Sequence, residues 1–318
     1  METKEIRRKI ESVNNIRELT GALETLSALK MKKAQKIALA SRPFAQKIAY
    51  LLSQLDSVLK AKKSVFLEEK EVKKILVLAI ASDRGFCGSF NQNIVKFSEK
   101  EISGLKSKDV KIEILPIGKK GISFFKKKGY DFKLNFTGIG DYGELEELKP
   151  ISDFLMKSFL EDKFQKIYFV YTDFVSSLLQ KPKIIQILPF VKENFKDFLK
   201  EEISKKEEEF VFGGEVAERT CPAAAGYPAP WGGEGFIIEP SFQMLAEEIV
   251  PQLVEYLIYQ CVLESNASEH SARMMAMRNA SENAQKKVEE LRLLFNKARQ
   301  EQITREVCEI SLVKEVLE

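Results

Sequence analysis

Histidine is almost missing: the 318-residue chain has one, His270. A histidine-rich metal site is therefore excluded, and a Ser-His-Asp triad would have to use that one residue. It lies in the helical-looking stretch ASEHSAR, where no catalytic role is expected of it. Tryptophan also occurs once, as Trp231. The four cysteines, Cys87, Cys221, Cys261 and Cys308, form no close pair and no zinc-ligand spacing. They read as reduced thiols. The longest apolar run, residues 75–81, is far short of the ~20 residues of a membrane span. The charged N-terminus has no apolar leader, so a cytosolic compartment is expected, with membrane association only through partners. No charge sign dominates: 50 basic residues against 47 acidic leave +3, which argues against a chain built to hold nucleic acid.

What is present is helix at both ends. Residues 3–60 are rich in Ala, Leu, Lys, Arg and Gln, all good helix formers. Apolar positions recur every three or four residues at Ile6, Ile10, Val13, Ile16, Leu19, Leu23, Leu26 and Leu29, predicting one apolar stripe. Pro43 is expected to bend this helix without ending it. Residues 241–317 contain no glycine and one proline, Pro251. Their apolar positions include Leu245, Ile249, Leu253, Leu257, Ala284, Val288, Leu291, Phe295, Ala298, Ile303, Val307 and Ile310. A helix of that length extends ~115 Å. Such a rod needs a partner along its stripe, and the N-terminal helix is the candidate within the chain. The two ends are thus expected to form an antiparallel coiled coil.

Between them the texture changes. KKILVLAIA, residues 73–81, reads as a strand covered on both faces. Further strands are expected at 110–117, 130–136, 166–172 and 183–190, with helices at 89–101, 119–128 and 143–160. Alternating strand and helix predicts an α/β domain with a mostly parallel sheet. The fold class is therefore α/β: a long antiparallel coiled coil of N- and C-terminal helices plus a central α/β domain. The expected division is 1–62 for the first arm, 70–200 for the domain, 201–240 for an acidic stretch and loop, and 241–318 for the second arm. Residues 213–235 hold six glycines and three prolines, which predicts an irregular, mobile loop.

The turn SDRGFCGSF, residues 82–90, follows the first strand, where dinucleotide-binding domains hold phosphate. Its chemistry does not suit that ligand. Neither GxGxxG nor GxxxxGK[ST] is present, and Asp83 brings negative charge to the place of a phosphate. Its glycines, Gly85 and Gly88, read as aids to a tight turn and close packing. Lys30, Lys32, Lys33 and Lys36 make a basic group in an arm with twelve basic and six acidic residues. It reads as a solvated face or as a helix set against an acidic protein surface. The methionines of HSARMMAM, residues 270–277, read as adaptable packing. No catalytic, cofactor or metal residues are assigned.

The run KEIRRKIESVNNIRELTGALETLSALKMKKAQ resembles the N-terminus of the gamma subunit of F-type ATP synthases. ASRPFAQ and SDRGFCGSFNQNIVK extend the resemblance, and LESNASEHSARMMAMRNASENAQKKVEELRLLFNKARQEQITREVCEI is its strongest part. The sequence departs from the family at Gly21, Leu23 and Glu24, in the ending SLVKEVLE, and in the segment 213–235. Cys221 stands alone, so the two-cysteine redox switch of plant chloroplast relatives is not expected. The resemblance implies a non-catalytic rotor shaft inside a ring of three alpha and three beta subunits. The domain would sit on the c-subunit ring beside the epsilon subunit, at the cytoplasmic face of the inner (plasma) membrane, and ATP would be made on the beta subunits. It also implies beta-subunit contacts at Arg273, Gln300, Thr304 and Glu306, with Leu23 and Lys30 on the other arm. The turn Asp83, Arg84, Gly85 to Gly88 would lie in the foot near epsilon and the c ring. The alternatives are a structural coiled-coil protein with an α/β domain, or an α/β enzyme with a pocket near Asp83.

If both arms leave the domain at one level, the numbers of facing residues sum to about 301. Leu23 then faces the neighbourhood of Arg278, and Thr3 that of Ala298. The C-terminal arm would continue ~20 residues, or ~30 Å, beyond its partner. Ile303, Val307, Ile310, Val313 and Val316 keep an apolar stripe there, flanked by Arg305 and Glu306. The alpha–beta ring is expected to cover it.

Overall fold

The computed structural model describes residues 3–61, 66, 70–106, 110–132, 134–142, 144–189 and 242–317. The side chains of residues 42, 44–61, 242–250 and 309–317 fall outside that description. So do the acidic stretch, the loop 213–235, Trp231 and Cys221, and the expectations placed on them.

Two long helices frame the molecule. α1 (Thr3–Ala61) has 59 residues and passes through Pro43 without ending. α5 (Phe242–Leu317) has 76 residues, ~114 Å, and passes through Pro251. They run antiparallel, with facing residues tied by side chains. Thr3 Oγ1 donates to Gln302 Oε1, Arg17 to Gln285 Oε1, and Ser41 Oγ to Gln260 Oε1. The numbers of these partners sum to between about 301 and 305, within about one helical turn of the expected register.

The seam of α1 is not the stripe read from the leucines. Ile6, Thr20, Ser27, Met31, Ala34 and Ala38 are buried, with Ile10, Val13, Arg17 and Glu24 half-buried between them. Those positions alternate steps of four and three, the spacing of a helix wound about a partner. Ile16, Leu19, Leu26 and Leu29 lie on the neighbouring line and are exposed. Small side chains on the seam let the helices approach, and Met277, Ala284, Val288 and Leu291 of α5 are buried as well.

Between the arms lies a four-stranded sheet in the order β2-β1-β3-β4. β1 (Lys74–Ile80) pairs in parallel with β2 (Lys111–Ile117) and with β3 (Lys166–Phe174). β4 (Gln180–Leu188) closes one edge antiparallel to β3, so the sheet is mostly parallel. The period of two along β1 explains its continuous apolar run. Leu76, Leu78 and Ile80 enter one core with α4 (Leu145–Leu160), while Ile75, Val77 and Ala79 enter the other. That second core includes Ile94, Val95 and Ile102 of α2 (Phe90–Leu105) and Phe125 of α3 (Lys119–Lys127).

The strand expected at 130–136 is reduced to one bridge, Ile117 to Phe136. There Phe136 N–H reaches Pro116 O and Gly118 N–H reaches Phe136 O. The next ladder bond would need an N–H on Pro116, which proline lacks, so pairing stops.

α5 belongs to both parts of the molecule. Val254, Ile258, Cys261 and Val262 are buried in the same core as β3 and α4. Farther along, Ser268 Oγ donates to Thr172 O at the end of β3, and Ser271 Oγ to Ser177 O just beyond it. α5 thus leaves the sheet at the carboxyl ends of β1 and β3, and that edge is the neck of the molecule.

Candidate functional site: the neck between domain and arms

The turn after β1 sits at that neck. Its backbone is braced from within. Asn91 Oδ1 accepts the Ser82 N–H at 2.9 Å, and Asn91 Nδ2 donates to Ser82 Oγ at 2.7 Å and Cys87 Sγ at 3.1 Å. Cys87 is buried, and burial raises its thiol pKa, so it is an unreactive packing thiol. Gly88 has φ +57°, a left-handed conformation suited to glycine, and a Cβ there would still clear Ala276 of α5 at 3.9 Å. Phe86 takes a similar conformation, φ 63°, with its ring 75% exposed. A bulky residue adopts that conformation only when its surroundings impose it.

Asp83 has a structural task. Its Oδ1 accepts the Lys119 N–H at 2.8 Å at the start of α3, and its Oδ2 accepts the Gly138 N–H at 2.9 Å. A carboxylate at a helix N-terminus is where the backbone donors and dipole favour negative charge. The position a phosphate would want is thus filled by the chain's own side chain.

Across the neck runs a relay of charged and polar groups. Lys30 of α1 donates to Asp141 Oδ2 at 2.5 Å, and His270 Nε2 of α5 lies 3.3 Å from Asp141 Oδ1. Arg273 Nη1 lies 3.2 Å from His270 Nδ1. Its Nη2 donates to Glu269 Oε1 at 2.5 Å, and its Nε to Gly85 O at 3.2 Å. Arginine only donates, so Nδ1 accepts and the imidazole proton sits on Nε2, the nitrogen that faces Asp141. The electrostatics agree. Burial, aided by the Arg273 charge, lowers the His270 pKa to about 4 against the pull of Asp141, so the ring is neutral. For Asp141, burial opposes ionisation, but the Lys30 hydrogen bond and nearby positive charge outweigh it and hold its pKa below the ordinary value. Burial raises the pKa of Glu269, with Arg273 opposing.

Asp141 lies on a short loop clipped to its surroundings. Gly140 N–H donates to Glu147 Oε2 at 2.8 Å, and Asn266 Nδ2 of α5 donates to Gly140 O at 3.1 Å. Next to it, the Tyr142 ring sits under Lys33 Nζ at 3.9 Å, one helical turn from Lys30.

The residues singled out from sequence fall into two groups. Lys30, Asp83, Arg84, Gly85, Gly88 and Arg273 meet at the neck. Arg273 is 9% exposed and its guanidinium is engaged inside the chain, as is the Lys30 ammonium. The turn lies at the edge from which the arms project. Gln300, Thr304 and Glu306 lie ~40 Å farther along α5 and are exposed. There Thr304 Oγ1 bonds to Gln300 O, and Glu306 accepts from Gln302. Leu23 lies between the groups, half-buried. Sequence reasoning missed Asp141, Glu269 and the joining role of His270. The usable signal was Glu269, His270 and Arg273 on one helical face, at spacings of three and four. Nothing local marks Asp141.

A family model described as ATP synthase matches residues 2–312. The ATP synthase gamma chain of Cupriavidus necator is 33% identical over 97% of this chain and 97% of its own. Among solved structures, a chain of Euglena gracilis mitochondrial ATP synthase, in an assembly of OSCP, F1 and c-ring, aligns with TM-score 0.61 and 17% identity. That alignment covers 99% of this chain and 94% of the other. A chain from the central stalk and c-ring of Tetrahymena thermophila mitochondrial ATP synthase aligns with TM-score 0.57 and 22% identity. It covers 83% of this chain and 99% of the other.

Proposed function

The chain belongs to the gamma-chain family of ATP synthases, and from that membership and its geometry we propose that it is the central rotor stalk of an F-type ATP synthase. The observation that carries the reading is the match to gamma chains over nearly the whole length. The shape suits the role. A single helix is core at one end and exposed rod at the other, so rotation of the domain is rotation of the rod.

In this reading the domain rides on the c-subunit ring beside epsilon, and the arms stand inside a ring of three alpha and three beta subunits. ATP chemistry takes place on the beta subunits, and this chain changes their conformations by turning. Among the described residues no helix is long and apolar enough to cross a membrane. The chain is then peripheral, attached at the cytoplasmic face of the inner membrane through its partners.

Two surfaces would meet the ring. One is the tip, where Gln300, Thr304 and Glu306 lie beside the exposed Ile303 and Val307. The other is the outer line of α1, Ile16, Leu19, Leu26 and Leu29. Leu23, between them, would add a smaller contact. Arg273 and Lys30 are turned inward and serve the neck. The turn at 83–88, with Phe86 outward, would lie in the foot region near epsilon and the c ring in this reading.

The test is reconstitution with alpha and beta subunits. A stable complex whose ATP hydrolysis turns a probe fixed to the domain supports the stalk. An isolated homodimer that binds neither subunit would overturn it in favour of a structural coiled-coil protein.

A further inference from the structure

Most of the described polar ties of α1 go to α5: Thr3 to Gln302, Arg17 to Gln285, Ser41 to Gln260. The seam beside the neck is made of Ser27, Met31, Ala34 and Ala38. Apart from Met31 these are small side chains, which give little bulk to interlock with a facing helix. The steric resistance of α1 to sliding or rolling on α5 is therefore low just where the arms leave the domain. α5 itself is rooted in the core, but α1 is not carried there by the described apolar packing. Among the described residues two contacts join α1 to the domain at this level, Lys30 to Asp141 and Lys33 over Tyr142. Both end on one loop, and that loop is fastened to α4 through Glu147, to the turn through Asp83, and to α5 through Asn266 and His270.

We propose that Asp141 and His270 are positioning residues that lock the α1 arm to the globular domain, so that turning force on the domain reaches both strands of the shaft at the neck. The proposal rests on the stalk reading above. Asp141 is the junction: one oxygen takes the α1 ammonium and the other takes the α5 imidazole. His270 suits its place because a neutral imidazole donates at one end and accepts at the other. It passes the connection to Arg273, which grips the carbonyl of Gly85 in the turn. Glutamine also carries a donor and an acceptor, and leucine carries neither.

The test uses the complex of this chain with alpha and beta subunits, stalled by nucleotide, with a probe on the domain. Angular fluctuation of the probe reports torsional compliance. Asp141→Ala and His270→Leu should raise the fluctuation variance about twofold, because a broken hydrogen-bond network frees one of two strands sharing the load. His270→Gln should match the parent. ATP hydrolysis without load should stay near the parent rate in all three, which a general loss of structure would not allow. Unchanged variance in Asp141→Ala, or a His270→Gln complex as compliant as His270→Leu, would overturn the proposal. If His270→Leu does not assemble, Asp141→Ala decides alone, since the Asp141 side chain is 34% exposed and its removal leaves no deep cavity. Failure of the parent chain to bind the ring would instead sink the stalk reading, independently of any variant.

Discussion

The two ends of α5 are the same kind of helix in opposite surroundings. From residue 253 to 277 most side chains are buried, wrapped by the sheet, α4, the turn and α1. From 299 to 308 every side chain is exposed. Between them the buried positions thin to one line, Ala284, Val288 and Leu291. Helix propensity does not distinguish these regions, because it responds to the chain and not to the neighbours. The base is fixed by packing and the tip is left for something else to cover. A rod rooted at one end and bare at the other is the arrangement expected of a shaft.

Breaking the base should have the largest effect. Ile258 is fully buried in the sheet core, so Ile258→Ala should cost about 2–5 kcal/mol, read as a lowered melting temperature of the subunit. The matching change at the tip, Ile303→Ala, should leave subunit stability within about 0.5 kcal/mol, because Ile303 is 50% exposed. It should instead weaken binding to the alpha–beta ring. Equal melting shifts for the two variants would erase the comparison.

The middle of the rod gives a finer contrast over two residues. Leu291 is 7% exposed and Leu293 is 73% exposed. Leu291→Ala should destabilise by about 2 kcal/mol, the lower end for a core leucine, since a two-helix seam is only partly enclosed. Leu293→Ala should change stability by less than about 0.5 kcal/mol. Chemical denaturation of the two variants measures the difference, and reversed values would mean that α5 is rotated in the pair.

A further contrast, read against pH rather than by truncation, lies at the neck. His270 has its folded pKa depressed to about 4 from 6.5, with burial the main cause. The unfolded chain then takes up a proton first as pH falls, so this contribution to stability is present above pH 6.5 and is lost as pH drops towards 4. The groups around it are Asp141, Arg273, Lys30 and Arg84. Asp141 titrates below the window, its pKa being lowered, while Glu269, its pKa raised by burial, pulls the opposite way near the bottom of it. Subtracting the melting curves of His270→Gln from those of the parent isolates the histidine. A flat difference between pH 6.5 and 4 would remove it from the buried relay.

Much of this was legible in the residues. The two arms, four of the strands, their alternation with helices and the arm register followed from composition, periodicity and arithmetic on helix rise. The seam was misread because leucine was taken as the mark of burial. In a close helix pair, Ala34, Ala38 and Ser27 make the contact and Leu19, Leu26 and Leu29 are left outside. The strand at 130–136 failed on one proline that lacks a donor. The neck relay was not legible, since Lys30, Asp141 and His270 are far apart in sequence and only the fold brings them together. The burial of Arg273 was hidden for the same reason: on a helix it reads as surface, and only the turn packed over it makes it interior.

The account rests on one helix being closed at its base and open at its tip until the ring covers it. Amide hydrogen exchange along α5 measures that directly, in the free subunit and after addition of the alpha–beta ring. The account predicts strong protection at 253–277 in both states. It predicts fast exchange at 303–317 in the free subunit, turning to protection on ring binding. A tip already protected in the free subunit, or one whose exchange the ring leaves unchanged, would contradict it.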